Sequence, residues 1–291
     1  MKGPEAQSFV LKWFDYRMDL GRKTHVMGVL NVTPDSFSDG GLFFDDKEKA
    51  LRHALDMVRD GADIIDVGGE STRPYSEEIS LQEELDRVIP VIERLSGMTD
   101  VPISVDTLKA EVARQALNAG ASIINDISAL SFDPDMTPLA AEAGVPVILM
   151  HMKGKPKNMQ ENPVYGDLIA EICDFLGDAA SRAEKGGVSR DMIVVDPGIG
   201  FGKTFDHNLM ILKHLQRFNE LGRPLLVGTS NKAFIGHLLD KAAGERDVGT
   251  MATVAAAAMN GAHIVRVHNV KMAVETVKVI DAIKRGRVTP E

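Results

Sequence analysis

The sequence predicts an α/β protein, a (β/α)8 TIM barrel with an N-terminal β-hairpin extension. Eight short, β-branched apolar runs follow one another along the chain, and helical patterns alternate with them. Strict alternation of strands and helices produces a parallel sheet, and runs that are apolar throughout indicate strands covered on both faces. Eight such units within 291 residues favour a closed barrel.

The elements can be justified in chain order. The predicted strands are 26–31, 63–69, 102–107, 122–127, 146–152, 192–198, 225–230 and 263–268. Helical patterns cover 47–60, 81–95, 109–119 and 137–143, and each ends at or near a glycine, which accepts the left-handed conformation at a helix terminus. Residues 9–24 predict a hairpin that could plug the N-terminal mouth of the barrel. We expect one domain over residues 1–291.

The alternative architecture is an open, doubly wound parallel sheet. That fold expects a glycine-rich fingerprint directly after the first strand, where the backbone approaches a bound dinucleotide. The first strand here is followed instead by the letters NVTPD at 31–35. The barrel is therefore the preferred interpretation.

Composition and charge narrow the class of partner. The formal net charge of −9 argues against nucleic acid or a membrane as the main partner, because both require a basic face, although a small anionic substrate remains compatible. The single cysteine, Cys173, lies in an amphipathic run typical of a buried structural thiol. One cysteine allows no intrachain disulfide, and no apolar run predicts a signal or a membrane span, so we expect a cytoplasmic protein.

The expected active site is the rim where the strands end, because (β/α)8 enzymes carry their chemistry at the C-terminal ends of the strands. The polar residues at these ends are Asn31, Asp66 with Glu70, Asp106, Asn125, His151, Asp196, Ser230 with Lys232, and Arg266 with His268. Turns after strands are often polar, but charged groups so close to a core are costly. A ring of Asp, Lys, Arg and His therefore favours function.

The residue types in this ring indicate a substrate class. Asp106, Asn125 and Asp196 offer acceptors suited to a flat heterocycle with ring N–H and amino donors, since a carboxylate accepts an N–C–N edge through two hydrogen bonds. Lys232 supplies a cation for a ring carbonyl. Arg266 and His268 alternate along the last strand and point to the same side, at the corner where this fold customarily binds phosphate.

Other motifs carry less weight. The segment 198–204 resembles a phosphate loop, but Pro197 stands where that motif needs glycine. The sequence has no HExxH pair for zinc and no Gly-x-Ser-x-Gly nucleophile elbow. The loops 33–41 and 68–75 are polar and rich in Gly or Pro, which favours loops that close over a ligand.

Several strings resemble the dihydropteroate synthase family, the pterin-binding barrel enzymes of folate biosynthesis. The resemblance covers residues 25–285 and rests on VMGVLNVTPDSFSDGG, IIDVGGESTRP, ISVDT, IINDIS, LMHMKGKPKNMQ, VVDPGIGFGK, LLVGTSNKAFIG and HIVRVHNV. It implies condensation of 6-hydroxymethyl-7,8-dihydropterin diphosphate with 4-aminobenzoate, to give 7,8-dihydropteroate and diphosphate. It also implies a requirement for Mg²⁺, inhibition by sulfonamides and a homodimer.

The resemblance assigns roles residue by residue. Pterin binding falls to Asp106, Asn125, Asp196, Lys232, Arg266 and Met150. Diphosphate binding falls to Asn31, Thr72, Arg266 and His268, and Asn31 would also bind Mg²⁺. The aminobenzoate pocket would consist of Phe37, Thr72, Arg73, Pro74, Phe201 and Ser230. The residues implied in catalysis are Asp106, Lys232, Arg266, Asp35 and Arg73.

The implied mechanism loses diphosphate first and leaves a cation delocalised into the pterin ring. Asp106 would stabilise this cation, and the arylamine needs no strong base because it is already a free nucleophile. Two positions depart from the family pattern. Asn231 stands where arginine is common, and Asn269 where aspartate is common after the histidine, which could loosen the orientation of His268.

Two alternative functions remain at the level of sequence. A methyltetrahydrofolate:corrinoid methyltransferase shares the barrel and the pterin site, but the intact PDSFSDGG and GGESTRP strings speak against it, and cobalamin binding would decide. A non-catalytic pterin-binding paralogue is the other alternative. It would bind pterin but fail a synthase assay.

Overall fold

The structure, a computed structural model, describes residues 9–33, 43–71 and 76–288, and it confirms the predicted fold. The hairpin strands are β1 (Val10–Trp13) and β2 (Tyr16–Asp19). The barrel strands are β3 (His25–Asn31), β4 (Ile64–Gly68), β5 (Ile103–Asp106), β6 (Ile123–Asp126), β7 (Val147–Met150), β8 (Ile193–Asp196), β9 (Leu226–Gly228) and β10 (Ile264–Val267).

Helices follow the barrel strands. They are α1 (Phe43–Arg59), α2 (Leu81–Ser96), α3 (Ala110–Asn118), α4 (Met136–Ala143), α5 (Leu168–Lys185), α6 (Phe205–Lys213), α7 (Ala233–Leu239), α8 (Asp247–Met259) and α9 (Val270–Arg285). Short 3-10 turns cover Arg190–Met192, Leu215–Leu221 and Ala243–Glu245. None of the helices in the described ranges has both the length and the apolar composition that crossing a bilayer requires.

From β3 to β8 each barrel strand pairs in parallel with the next, and β10 pairs in parallel with both β9 and β3, where Ile264 lies opposite His25. The register aligns strand ends, because Gly68 pairs with Asp106 and Asp106 pairs with Asn125. The joint between β8 and β9 is the weakest in the barrel, with a single bridge from Val195 to Leu225. The register therefore brings the polar strand ends to one rim.

The hairpin packs at the opposite end of the barrel. Leu11, Trp13 and Met18 are buried, and β1 contacts the 3-10 turn that precedes β8. The ring of Phe9 meets the ring of His263 edge-on, with 5.2 Å between centroids, directly before β10 begins. The hairpin therefore covers the N-terminal side and leaves the rim of strand ends accessible.

Candidate active site

Arg266 lies at the centre of the polar rim. Its Nε donates to Asp66 Oδ2 at 2.6 Å, and its Nη2 donates to Asp106 Oδ2 at 2.7 Å. Asp66 is fully buried and also accepts from Asn125 Nδ2 at 3.2 Å. Four strands, β4, β5, β6 and β10, are thus joined by one charged network. Arg266 faces the opening of the barrel, since its side chain is 23% exposed.

Electrostatics in this network depend on burial. Burial raises the pKa of Asp106 to about 7, with Asp66, Glu84 and Asp126 adding to the effect and the Arg266 guanidinium opposing it. The pKa of Arg266 is raised because Asp66 and Asp106 outweigh the effect of its burial. Arg266 therefore remains a cation that contacts two carboxylates. Asp66 contacts it from the buried side and does not face the opening.

Asp196 ends β8 and is buried beside Met150, its partner in the strand register. Its Oδ1 accepts the Gly198 N–H at 2.7 Å. Burial raises the pKa of Asp196 to about 6, although the Gly198 N–H and the nearby cations, of which Lys232 has the largest effect, favour the ionised form. The second carboxylate oxygen can accept donors from a ligand, and Met150 adds an apolar surface next to it.

Lys232 precedes α7 and carries its ammonium 4.3 Å from the centroid of the Phe201 ring. Burial lowers the pKa of Lys232 to about 8, Arg266 lowers it further, and Asp196 and Asp106 oppose the change. A lysine over an aromatic face is held by the ring quadrupole. The structure therefore brings together Asp196, Lys232 and Phe201, three residues expected in the pterin and aminobenzoate sites.

Lys203 is a buried residue of this region that the sequence analysis did not select. Its Nζ lies 2.9 Å from His151 Nδ1, 2.9 Å from the Phe201 carbonyl oxygen and 3.3 Å from the His151 carbonyl oxygen. Burial lowers the pKa of Lys203 to about 7 and that of His151 to about 3. The neutral histidine accepts at Nδ1, so Lys203 joins the loop after β7 to the loop after β8.

These two loops are also in close backbone contact. Gly198 has φ 69°, and a Cβ there would lie 2.0 Å from the His151 carbonyl oxygen. Tyr165 donates its hydroxyl to the Gly202 carbonyl oxygen at 2.7 Å. The glycines of 198–202 therefore allow the two loops to pack closely. The sequence did contain a signal for Lys203, namely a lysine in a glycine-rich segment directly after the strand-end aspartate.

Ser230 and His268 form the neighbouring corner of the rim. The Ser230 hydroxyl oxygen lies 2.9 Å from His268 Nδ1 and accepts the His268 backbone N–H at 3.2 Å. Asn269, one of the two departures, caps α9 by accepting the Met272 N–H, and its Nδ2 donates to Asp247 Oδ2 at 2.8 Å. Ser230 therefore orients the His268 ring by direct contact, whereas the Asn269 side chain contacts Asp247 and the start of α9.

Asn231, the other departure, adopts a left-handed conformation with φ 59°. Its carbonyl oxygen accepts from Arg246 Nη1 at 2.9 Å, and its N–H donates to Thr250 Oγ1 at 3.2 Å. The residue therefore fixes the turn before α7 through its backbone. Asparagine tolerates this conformation better than most residues, which suits it to the position.

Asn31 ends β3 and is half-buried at the rim. No three His, Cys, Asp or Glu side chains among the described residues cluster as a metal site. A site completed by a ligand's own oxygens fits Mg²⁺ nonetheless, because this ion takes few protein ligands, keeps waters and prefers oxygen donors. The Asn31 side-chain oxygen is a metal ligand of that type.

Glu70 does not join the central network. Its Oε2 accepts Lys109 Nζ at 2.6 Å, and Lys109 also donates to Glu84 Oε2 at 2.5 Å. Thr107 Oγ1 donates to the other oxygen of Glu84 at 2.6 Å. This cluster ties the segment after β4 to α2 and to the start of α3. The expected residues Asp35, Phe37, Thr72, Arg73 and Pro74 lie outside the described residues.

Comparison with known proteins finds a matching family and similar solved structures. A family model described as pterin binding enzyme matches residues 27–268. The dihydropteroate synthase of Escherichia coli is 51% identical over 258 residues, which cover 89% of this chain and 91% of that protein. A Yersinia pestis dihydropteroate synthase structure with a sulfonamide drug complex has a TM-score of 0.90 at 46% identity, and the match covers 95% of this chain and all of that one. A Xanthomonas albilineans dihydropteroate synthase structure with 4-aminobenzoic acid has a TM-score of 0.87 at 44% identity, covering 92% and 95% of the two chains.

Proposed function

Because the chain belongs to the dihydropteroate synthase family of pterin-binding enzymes, we propose that its strand-end rim condenses 6-hydroxymethyl-7,8-dihydropterin diphosphate with 4-aminobenzoate. The observation that carries the proposal is the network at the rim, where Arg266 contacts Asp66 and Asp106, and Asn125 contacts Asp66. Asp106, Asn125 and Arg266, with Asp196, present both acceptors and a guanidinium to one opening, as a flat heterocycle with mixed edges requires, and Asp66 holds Arg266 and Asn125 from the buried side.

Carboxylates bind the edge of the pterin ring, and the Arg266 guanidinium packs on its face. Asp196 accepts the amino group and the ring N–H next to it, and Asn125 and Asp106 bind the remaining nitrogens. Lys232 donates to the ring carbonyl, and Met150 covers an apolar part of the ring. Two parallel charge-assisted hydrogen bonds fix the plane of the ring as well as its position.

The diphosphate binds at the corner of β3 and β10. Asn31, His268 and Arg266 contribute polar groups there, and Thr72 belongs to the same proposed set. Mg²⁺ bound by Asn31 and the substrate's phosphate oxygens would neutralise charge on the leaving diphosphate. His268 and Arg266 donate hydrogen bonds to the same anion, and a donor that strengthens as charge develops favours departure.

The reaction then replaces one bond at the exocyclic methylene of the pterin. The C–O bond breaks with its electron pair leaving on diphosphate, and Asp106 stabilises the positive charge that spreads into the ring. The 4-aminobenzoate nitrogen attacks the methylene carbon and afterwards loses a proton to solvent. Phe201 and Ser230 form the described part of the arylamine site, to which Phe37, Thr72, Arg73 and Pro74 are also assigned. Asp35 and Arg73 complete the catalytic set.

The direct experiment is condensation of the two substrates by the purified protein, with and without Mg²⁺. We expect 7,8-dihydropteroate and diphosphate in equal amounts, and loss of the reaction when the ion is chelated. Binding of the pterin diphosphate without any product would identify a non-catalytic paralogue instead. Cobalamin binding with methyl transfer would identify the corrinoid enzyme.

Sulfonamides should compete with 4-aminobenzoate at this site. The related Yersinia pestis enzyme was solved with a sulfonamide drug complex, and the related Xanthomonas albilineans enzyme with 4-aminobenzoic acid. A sulfonamide presents an arylamine and an acidic group opposite it, as the substrate does. We expect raised 4-aminobenzoate concentration to relieve inhibition in steady-state assays; inhibition that persists at saturating substrate would contradict the assigned pocket.

We also propose a homodimer formed through α6, α7 and α8. These neighbouring helices expose large apolar side chains, namely Phe205, Leu209, Met210, Leu238, Leu239 and Val248. The helices are continuous at the surface, since the Phe205 and His237 rings lie 5.0 Å apart and Gly249 of α8 packs against Leu239. Contiguous apolar patches mark interfaces, and a two-fold dimer is the commonest assembly that covers one patch with its own copy.

The cytoplasmic location stays a prediction of the sequence.

A further inference from the structure

A buried carboxylate outside the proposed site lies in the first turn of α2. Glu84 is only 1% exposed, and both of its oxygens accept hydrogen bonds. Oε1 accepts the Thr107 hydroxyl at 2.6 Å, and Oε2 accepts Lys109 Nζ at 2.5 Å. Apolar side chains can often replace a buried ion pair without loss of stability, so such a pair is weak evidence for a purely stabilising role. The residues that Glu84 contacts indicate a different role.

Thr107 directly follows Asp106, the last residue of β5. Its hydroxyl is used twice, because it donates to Glu84 and accepts the Lys109 N–H at 3.2 Å. Its backbone N–H donates to the Asn125 carbonyl oxygen at 3.1 Å. Thr107 is thus held by α2 through its side chain and by β6 through its backbone. Because Asp106 is the adjacent residue of the chain, these contacts fix the backbone from which its carboxylate projects.

The same part of α2 also holds the end of β4. Arg87 Nη1 donates to the Gly69 carbonyl oxygen at 2.7 Å, and a Cβ at Gly69 would lie 3.2 Å from Glu84 Cγ. The preceding residue, Gly68, pairs with Asp106 in the strand register, and a Cβ there would lie 3.4 Å from Asp106 Cβ. α2 therefore fixes the ends of both strands that meet at Asp106.

Glu84 also acts on Asp106 through its charge. The charged groups that act on the Asp106 carboxylate include Arg266, Lys232, Asp66, Asp126 and Glu84. The two cations favour its ionised form, whereas the three carboxylates, together with burial, raise the pKa of Asp106 to about 7. Removing the charge of Glu84 should therefore lower the pKa of Asp106, which a residue with only a stabilising role would not do.

We propose that Glu84 is a positioning residue for the condensation, which holds Asp106 through Thr107 where positive charge develops on the pterin. The inference rests on the proposed function, because that function assigns the stabilisation of the cation to Asp106. Lys109 supplies the opposite charge for Glu84 and shares it with Glu70 at 2.6 Å. Displacement of a reacting group by about 1 Å can reduce a rate roughly a hundredfold, so a remote residue that holds such a group affects the rate strongly.

Glu84→Gln tests the proposal. An amide offers one acceptor group where the carboxylate offers two, so either Thr107 or Lys109 loses its acceptor. We expect kcat for dihydropteroate formation to fall on the order of tenfold. The pKa of Asp106, followed by carboxyl-carbon NMR in the protein without substrates, should fall as well. Thr107→Val keeps the side-chain shape without the hydroxyl and should also lower kcat, whereas Thr107→Ser keeps the hydroxyl and should recover most of the activity.

Asp281→Asn is the matched control. Asp281 is also a buried carboxylate, and it accepts the Thr24 N–H at 2.7 Å at the opposite end of the barrel. This variant should lose stability in urea unfolding but keep both kcat and the pKa of Asp106. Glu93→Gln, at an exposed position on α2, should change none of these quantities.

A folded Glu84→Gln protein with unchanged kcat would overturn the inference, as would a lower kcat without any change in the pKa of Asp106. If Glu84→Gln does not fold, the two Thr107 variants decide, and equal kcat in Thr107→Val and Thr107→Ser would then contradict the proposal. Absence of product from the unchanged protein would instead refute the proposed function. In that case the pKa of Asp106 in Glu84→Gln still decides whether Glu84 acts on this carboxylate.

Discussion

Asp196 shows at the scale of one residue how function and stability oppose each other. To accept an N–H edge the carboxylate must be ionised, yet burial raises its pKa to about 6. Lys232, Lys203 and Arg266 reduce that cost without removing it. The residue is therefore held in an environment that favours its neutral form, and only a bound donor edge would compensate fully.

Asp196→Asn should lose pterin binding while keeping the fold. The amide presents one donor to a ligand edge that also donates, so a charged hydrogen bond worth about 1.5–3 kcal/mol is lost. We expect affinity for the pterin diphosphate to fall by roughly ten- to a hundredfold or more, measured by calorimetry at pH 8. Asp206→Asn, at an exposed position on α6, is the control. Near-normal affinity in the Asp196 variant would refute the assignment.

The same substitution should change the pH dependence of stability. Asp196 ionises less readily in the folded protein than in the unfolded chain, so the folded state loses stability as pH rises from about 4 to about 6. The amide in the Asp196→Asn variant cannot ionise, and the variant therefore lacks this loss. The difference between the ordinary pKa of 3.8 and about 6 corresponds to up to about 3 kcal/mol.

The measurement is the free energy of unfolding in urea at pH 4.5 and pH 7.5, with and without Asp196→Asn. The variant should gain stability relative to the unchanged protein at the higher pH. A constant difference between the two proteins across this range would show that the burial of Asp196 carries no such cost.

At the scale of elements, the loops after β7 and β8 behave as one unit. Lys203 joins them through two carbonyl oxygens and the His151 ring, and Gly198 lets their backbones touch. Phe201 lies in the second of these loops and contacts Lys232. The position of the Phe201 ring therefore depends on Lys203, which does not face the substrate.

Lys203→Met should separate positioning from stability. The lost hydrogen bonds destabilise the protein, but a buried cation, whose pKa is lowered to about 7, is also removed, and these effects oppose each other. We expect little change in the free energy of unfolding and a several-fold rise in the KM for 4-aminobenzoate, with a smaller effect on kcat. Lys157→Met, exposed on the loop after β7, should change neither. Unaltered KM in the Lys203 variant would exclude the positioning role.

At the scale of the whole molecule, the barrel separates chemistry from assembly. The polar rim lies at the strand ends, the hairpin covers the opposite end, and the apolar patch of α6, α7 and α8 faces outward. Val248, for example, is 72% exposed. A dimer through this patch would leave the rim of each copy accessible.

Leu238→Glu combined with Val248→Glu should give a monomer in sedimentation velocity at micromolar concentration, because charges in an apolar interface lose their hydration. Met98→Glu, which alters an exposed apolar residue after α2, should leave the dimer intact. A monomer already in the unchanged protein would contradict the proposed assembly. So would a dimer that persists in the double variant.

The sequence alone predicted the barrel, its eight strands, the N-terminal hairpin and the rim. This was possible because strand and helix periodicities are local, and because parallel strands place all their C-terminal ends on one side. The strings around Asp106, Asn125, Asp196, Lys232 and Arg266 also carried a family resemblance, since those segments are short and contiguous.

Only the tertiary structure decided which charges are paired. Asp66 lies 200 residues from Arg266, and Glu70 pairs with Lys109 rather than joining the central network. The contact of Lys203 with His151 likewise joins two separate segments. The physical reason is that pairing and burial depend on distances between side chains from different elements, and these distances are fixed only when helices and strands pack.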